Sequence, residues 1–159
     1  MDFESILINW YGPVSFEDID NYHAGGLYLV SGHQKYQRVD QIQYIGITAG
    51  NYSTRFASHH KINAVTRNRR IWLGKIAFPS EPTRTTLERA ESILIYAQQP
   101  PLNERKKIKL PRPLVLISHW FNPKNAPRYN RQGIFSGFPD VVSWDGTHWR
   151  EGNLRVFEN

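Results

Sequence analysis

Apolar residues in this chain come in short stretches bounded by glycine or proline, and this punctuation is the strongest constraint on the fold. Residues 27–31, 42–48 and 71–78 are rich in β-branched and aromatic side chains, which predicts three strands. Residues 113–118 predict another. None of these stretches approaches the ~18 apolar residues of a membrane-spanning helix, and the N-terminus is acidic where a signal peptide is basic. We therefore expect a cytoplasmic protein without a membrane partner.

Two helices are predicted, one before and one after the third strand in the sequence. The turn at Gly50-Asn51 supplies N-cap chemistry for a helix that runs to about Arg67. Thr85 and Glu88 have capping-box spacing, which predicts the start of a second helix. Pro100-Pro101 must end that helix, because proline lacks the backbone N–H that a helix interior needs.

The chain changes character after residue 103. A charge run at 104–109 leads into Pro111, and an Asp-Gly pair at 145–146 predicts a hairpin with arms at 141–144 and 148–157. We interpret 1–110 as the main domain and 111–159 as a β-rich extension packed on it. Three of the five tryptophans lie in this extension, where they are expected either to cover a face of the sheet or to stack on bases or brace a dimer partner.

Charge is unevenly distributed along the chain. The chain has 20 Lys and Arg against 14 Asp and Glu, and residues 41–80 contain basic but no acidic side chains. A clustered positive field favours a polyanion such as nucleic acid, although a solvated basic surface would have the same composition. The absence of cysteine excludes disulfides, thiolate nucleophiles and zinc sites with cysteine ligands. The basic residues concerned are Arg55, Lys61, Arg67, Arg69, Arg70 and Lys75.

Glu91 is the unexpected residue of the second helix. At about 100° per residue it falls inside the apolar arc, flanked by Leu87, Leu94 and Ile95. A buried carboxylate is costly unless a cation, a hydrogen-bond network or a metal compensates it. Glu91 is therefore expected to have a partner, either an arginine in a buried ion pair or a metal ion.

Five short motifs occur in order over residues 26–103: Gly26-Leu27-Tyr28, Tyr44-Ile45-Gly46, Arg55, Glu91-Ser92-Ile93-Leu94-Ile95 and Pro101-Leu102-Asn103. Each motif is common alone, and the ordered set is specific. This set resembles the signature of the GIY-YIG endonucleases. The resemblance implies an α/β fold, a small antiparallel or mixed β-sheet flanked by helices, and divalent-metal-dependent hydrolysis of DNA phosphodiesters.

The resemblance implies a role for each of five signature residues, Tyr28, Tyr44, Arg55, Glu91 and Asn103. Glu91 would bind one Mg²⁺ or Mn²⁺ ion. Arg55 would contact the scissile phosphate, while Tyr28 and Tyr44 would flank the nucleophilic water. Asn103 would hold the site together by hydrogen bonds.

The general base is left open among Tyr28, Tyr44 and His59. Phosphodiester hydrolysis needs an activated water and neutralisation of the charge that develops on the phosphate. A tyrosine has an ordinary pKa of about 10, and a cation-rich pocket would favour its phenolate. His59 lies four residues after Arg55, where some members of the family have a histidine.

The chain departs from the family pattern at two places. Ile47 stands where relatives often have lysine, and the interval between the two tyrosines is long, so that Lys35 and Arg38 are predicted to form a substrate-contacting loop. Two alternatives stay open: a nucleic-acid-binding protein on the same scaffold that does not cleave, and the same hydrolysis on RNA. Substrate recognition is expected to come from the extension and the loop or from a homodimer that shares the task, unless specificity is low. The biological role, in restriction, repair, phage biology or as a toxin, is not decided by these residues.

Overall fold

The structure is a computed structural model that describes residues 3–21, 24–57, 61–122, 124 and 138–154, with residues 20 and 21 described by their backbone alone. Its described strands are β1 Glu4–Val14, β2 Gly26–Gln34, β3 Gln41–Thr48, β4 Val65–Phe78, β5 Leu114–Phe121, β6 Val141–Trp144 and β7 Trp149–Gly152. The described α-helices are α1 Tyr52–Ala57 and α2 Arg84–Gln98, and 3₁₀ turns occupy Glu17–Asn21 and Lys61–Ala64. The seven strands form one sheet in the order β3-β2-β4-β1-β5-β6-β7.

The expected α/β class, a small antiparallel or mixed sheet flanked by helices, is wrong. The described chain is β-rich, with a seven-stranded mixed sheet and two α-helices. The first predicted helix ends at Ala57 instead of Arg67, because residues 65–70 pair with β2 and lengthen β4, with Arg67 opposite His33 and Arg70 opposite Ser31. Residues 4–14, for which no element was predicted, alternate between more and less buried positions and form the interior strand β1.

The strands that carry the signature lie at one edge of this sheet. β2 pairs antiparallel with both β3 and β4, which leaves β3 as the edge strand. β1 pairs antiparallel with β4 and parallel with β5. β5 to β7, from the segment expected to be an extension, therefore continue the same sheet. The Asp-Gly hairpin between β6 and β7 is confirmed.

Strand alternation distributes the core over the two faces of the sheet. Because successive side chains of a strand point to opposite faces, Leu27 and Leu29 pack with α2, whereas Tyr28 and Val30 pack with α1. On the α2 face, Trp120 stacks on Trp10 with ring centroids 5.4 Å apart. The side chains that α2 buries there are Ala90, Ile93, Leu94 and Ile95.

The tryptophans of the segment after 110 do not all have the same surroundings. Trp120 and Trp144 are buried in the α2-face core. Trp149 is 36% exposed and lies between Trp144 and Tyr96, with ring centroids at 4.7 and 5.4 Å. Two of these three side chains therefore cover a face of the sheet. Burial of such large aromatic side chains stabilises a fold strongly.

The start of α2 differs from the prediction by two residues. Thr83 is the N-cap: its hydroxyl accepts the Thr86 N–H at 3.3 Å, and the Thr86 hydroxyl accepts the Thr83 N–H at 3.1 Å. Glu88 instead accepts a hydrogen bond from Arg84 at 3.2 Å. The helix ends at Gln98, immediately before Gln99 and the predicted Pro100-Pro101 stop. In the described part of the chain, no helix is long and apolar enough to cross a membrane.

Candidate active site

A cleft of about 660 Å³ opens at the β3 edge of the sheet. Four of the five signature residues line it, Tyr44 from β3, Arg55 from α1, Glu91 from α2 and Asn103 from the chain after α2. An edge strand makes this possible, because side chains from elements on both faces can reach around it. Signature residues that are spread over positions 28–103 of the sequence thus lie close together in the fold.

The glycine of the second motif makes room for the tyrosine of the first. Gly46 lies opposite Tyr28 in the β2–β3 pairing, and a Cβ added at Gly46 would overlap the Tyr28 ring. Tyr44 stacks on the same ring, with centroids 6.0 Å apart and planes at 24°. The Tyr-x-Gly spacing is therefore a packing requirement for placing two phenol rings side by side.

Tyr28 is held neutral and orients Arg55. Its ring is fully buried, and the Arg55 Nε donates a hydrogen bond to its hydroxyl at 3.2 Å. Burial and the neighbouring Tyr44 phenol raise the pKa of Tyr28 far above its ordinary value, and Arg55 lowers it by less. The expectation that cations favour a phenolate therefore does not hold for Tyr28. Tyr44 is only partly buried, and it lines the cleft.

Asn103 closes the free edge of β3. Its Oδ1 accepts the Ile45 N–H at 2.9 Å, and its Nδ2 donates to the Ile45 carbonyl at 2.8 Å. Leu102 adds a backbone hydrogen bond to the Gln43 carbonyl at 2.9 Å. One side-chain amide thus replaces the neighbouring strand that an interior strand would have, and it attaches the chain after α2 to the cleft.

Glu91 has the partner that its position on the helix predicted. The partner is Lys106, whose Nζ lies 2.6 Å from Glu91 Oε1. The Glu91 side chain is 13% exposed and that of Lys106 is 31% exposed. Sequence reasoning considered an arginine or a metal at this carboxylate and missed Lys106. The available signal was the charge run that begins directly after Asn103.

The donor set at Glu91 fits a magnesium-type ion. Mg²⁺ is commonly held by one or two carboxylates, with waters and substrate phosphates as the other ligands. Glu91 and Glu88 both line the cleft, although the described residues contain no group of three or more His, Asp or Glu arranged to hold a metal. Lys106 and a metal ion would compete for the Glu91 carboxylate, since both are cations and repel each other when they approach one carboxylate.

The predicted nucleic-acid-binding residues have different locations. Lys61 lines the cleft, with Nζ 5.7 Å from the Tyr44 ring centroid, 3.3 Å from the Leu102 carbonyl and 3.6 Å from Glu104. Lys75 is exposed on β4 and does not line the cleft. His59 lies outside the described residues.

The other five predicted cations are exposed together at the far end of the β2–β3 hairpin. Because Arg70 and Arg67 pair with Ser31 and His33, they lie roughly 10 to 17 Å from Tyr28 along the strand direction, at about 3.4 Å per residue. The structure therefore separates this group from the cleft. Its members are Lys35, Arg38, Arg67, Arg69 and Arg70.

Comparisons of the chain with protein-family models, with curated proteins and with solved structures give no match. The resemblance to the GIY-YIG endonucleases therefore depends on the five short motifs and their order.

Proposed function

We propose that this chain is a cytoplasmic, divalent-metal-dependent endonuclease that hydrolyses DNA phosphodiesters and shares its catalytic residues with the GIY-YIG endonucleases. One observation carries the proposal. Tyr44, Arg55 and Glu91 come from three separate elements and line one cleft, with Tyr28 hydrogen-bonded behind Arg55. These side chains supply a hydroxyl, a cation and a carboxylate, the groups that phosphodiester hydrolysis requires.

In this proposal Arg55 stabilises the charge that develops on the phosphate oxygens as water attacks phosphorus and the bond to the leaving oxygen breaks. The neutral Tyr28 hydroxyl accepts the Arg55 Nε–H, which fixes the orientation of the guanidinium. Tyr44 lines the cleft, and in this proposal it holds the attacking water. Once its own phenolic proton has been lost to solvent, its phenolate takes the proton from that water as general base. Glu91, with Glu88 beside it on α2, would hold the Mg²⁺ or Mn²⁺ ion, which supplies Lewis-acid stabilisation of the phosphate.

The charge of the cleft supports a polyanionic substrate. Five cationic side chains face it, against three carboxylates. Clustered cations bind phosphates by releasing condensed counterions. The carboxylates are Glu88, Glu91 and Glu104, and the cations are Arg55, Lys61, Arg84, Arg105 and Lys106.

A second candidate function is nucleic-acid binding without cleavage. It is favoured by one observation, the 2.6 Å contact between Lys106 and Glu91, which compensates the carboxylate without a metal. Hydrolysis of RNA by the same residues is a further alternative, because the same cation, hydroxyl and carboxylate would act on the phosphodiesters of either nucleic acid.

The test is a cleavage assay on supercoiled plasmid DNA and on an RNA of matched length, with Mg²⁺ or with EDTA. We expect nicked and linear DNA in the presence of Mg²⁺ and none in the presence of EDTA. Glu91→Gln should lose at least about 100-fold in cleavage rate, since the amide keeps the shape of the side chain and loses its charge. The control is Glu81→Gln, an exposed glutamate outside the cleft, which should cleave normally. Undiminished cutting by Glu91→Gln would refute the metal assignment. Binding of DNA without cleavage by the wild type would favour the second candidate.

Oligomeric state belongs to the same proposal. A homodimer would let two clefts share one substrate, as expected from the small size of the chain. Sedimentation of the purified protein, with and without a duplex oligonucleotide, measures it directly. A monomer in both conditions would exclude the dimer and leave the catalytic assignment intact.

A further inference from the structure

The charge run after Asn103 connects the catalytic cleft to a second cleft. This second cleft, about 340 Å³ in volume, lies between the start of β1, α2 and the segment 104–112. Glu104 and Arg105 line the catalytic cleft alone, Lys106 lines both, and Lys109 and Arg112 line the second alone. Segment 104–112 therefore runs from one cleft into the next.

Contacts near its start hold this segment in place. Lys106 binds Glu91 at 2.6 Å, and Gln99 Nε2 donates to the Lys107 carbonyl at 2.7 Å. The Lys107 Nζ donates to the Pro100 carbonyl at 2.9 Å. Three hydrogen bonds thus fasten 106 and 107 to α2 and to the two residues that follow it, and the cations at 109 and 112 come directly after this fastened part.

Two of those following cations are uncompensated. In the second cleft, Arg89 binds Glu4 at 2.6 Å. Lys109 and Arg112 are exposed and make no ion pair with any residue that the structure describes. Between them Leu110 is 52% exposed and also lines the cleft. A cation, two apolar residues (Leu110 and Pro111) and a second cation thus follow one another along the segment.

We propose that segment 104–112 is a backbone track for the DNA strand that is cut, with Lys109 and Arg112 each binding a phosphate on one side of the scissile bond. This inference rests on the proposed function. A nucleic-acid strand presents phosphates in succession, which matches successive cations better than a single nucleotide does. Leu110 supplies the apolar surface that a sugar or base contacts between two phosphates. The track is distinct from the exposed cations at the far end of the β2–β3 hairpin.

The experiment measures binding of a 20-base-pair fluorescent duplex to the full chain in EDTA, where no cleavage occurs, over a series of salt concentrations. The variant is Lys109→Gln/Arg112→Gln. Since each lost phosphate contact reduces the log-log salt slope by about 0.9, we expect a slope smaller by about 1.8 and weaker binding at every salt concentration. The matched control is Lys124→Gln/Arg150→Gln, which removes two exposed cations outside both clefts and should leave the slope unchanged.

Two outcomes overturn the track. One is a salt slope for Lys109→Gln/Arg112→Gln equal to that of wild type and control. The other is displacement of the duplex by polyglutamate as efficiently as by unlabelled DNA of equal charge, which would indicate an acidic protein partner. Failure of the proposed function gives a different result. If the variant has the smaller salt slope but the wild type does not cut DNA with Mg²⁺, the track is supported and the nuclease activity is refuted.

Discussion

Replacement of Lys106 by methionine should strengthen metal binding at Glu91. Methionine keeps most of the apolar stem of the lysine and removes its ammonium group, so the Glu91 carboxylate loses its 2.6 Å partner. In the proposed function a metal ion at Glu91 of the wild type would have to displace that ammonium or bind against its repulsion. In Lys106→Met the carboxylate is available, and no such displacement is needed.

The size of the effect follows from the burial of the pair. A hydrogen bond to a charged group contributes about 1.5–3 kcal/mol, whereas an exposed ion pair contributes about 0.2–1 kcal/mol. With Glu91 13% exposed and Lys106 31% exposed, the contact lies between these cases, at about 1–2 kcal/mol. A free-energy difference of that size is a factor of about 5–30 in an equilibrium constant, so the Mn²⁺ dissociation constant should fall by that factor.

Isothermal titration of Mn²⁺ into the DNA-free protein measures this dissociation constant. The matched control is Lys107→Met, because the neighbouring lysine binds the Pro100 carbonyl and pairs with none of the carboxylates that the structure describes. A Glu91→Gln variant should bind no Mn²⁺ in either background. Thermal unfolding without metal should show Lys106→Met to be less stable than wild type, since its carboxylate is left uncompensated. The competition argument is refuted if Lys106→Met binds Mn²⁺ no more tightly than Lys107→Met does.

Three further predictions concern the tyrosines and Asn103. In single-turnover cleavage Tyr44→Phe should lose about 100-fold or more in rate. Tyr28→Phe should lose less in rate, because Arg55 is then less well oriented, and about 1 kcal/mol of unfolding free energy in urea with the lost hydrogen bond; equal rate losses would contradict this division. Asn103→Ala should lower the unfolding free energy by about 2–4 kcal/mol, because it leaves a buried N–H and carbonyl of Ile45 unpaired, and unchanged urea stability would contradict the edge-closing role. Burial raises the pKa of Tyr52 far above its ordinary value, so the folded state keeps a proton that the unfolded state loses above about pH 10. The free energy of unfolding should therefore be constant just below that pH and fall above it, and the fall should be about 1.4 kcal/mol per pH unit smaller in Tyr52→Phe than in the wild type. Parallel pH profiles of the two proteins would show that Tyr52 does not contribute.

Local patterns in the sequence were sufficient where one element determines its own structure. β2 and β3 form where apolar, β-branched residues predict strands, and each is longer than its predicted stretch by one to four residues. The Asp-Gly pair forms its predicted hairpin. The need of Glu91 for a partner follows from helical periodicity alone, since every residue of a helix face is known once the helix is. The order of the five signature residues likewise indicates which side chains belong together.

Only the tertiary structure decided what depends on distant segments. β1 is an interior strand because β4 and β5 pair with it on either side, and residues 65–70 form part of β4 because β2 pairs with them there. Lys106 became the partner of Glu91 because hydrogen bonds turn the chain after α2 back along that helix. Strand pairing, and the choice of a counter-ion, are contacts between residues far apart in the chain, and local propensity carries no information about them.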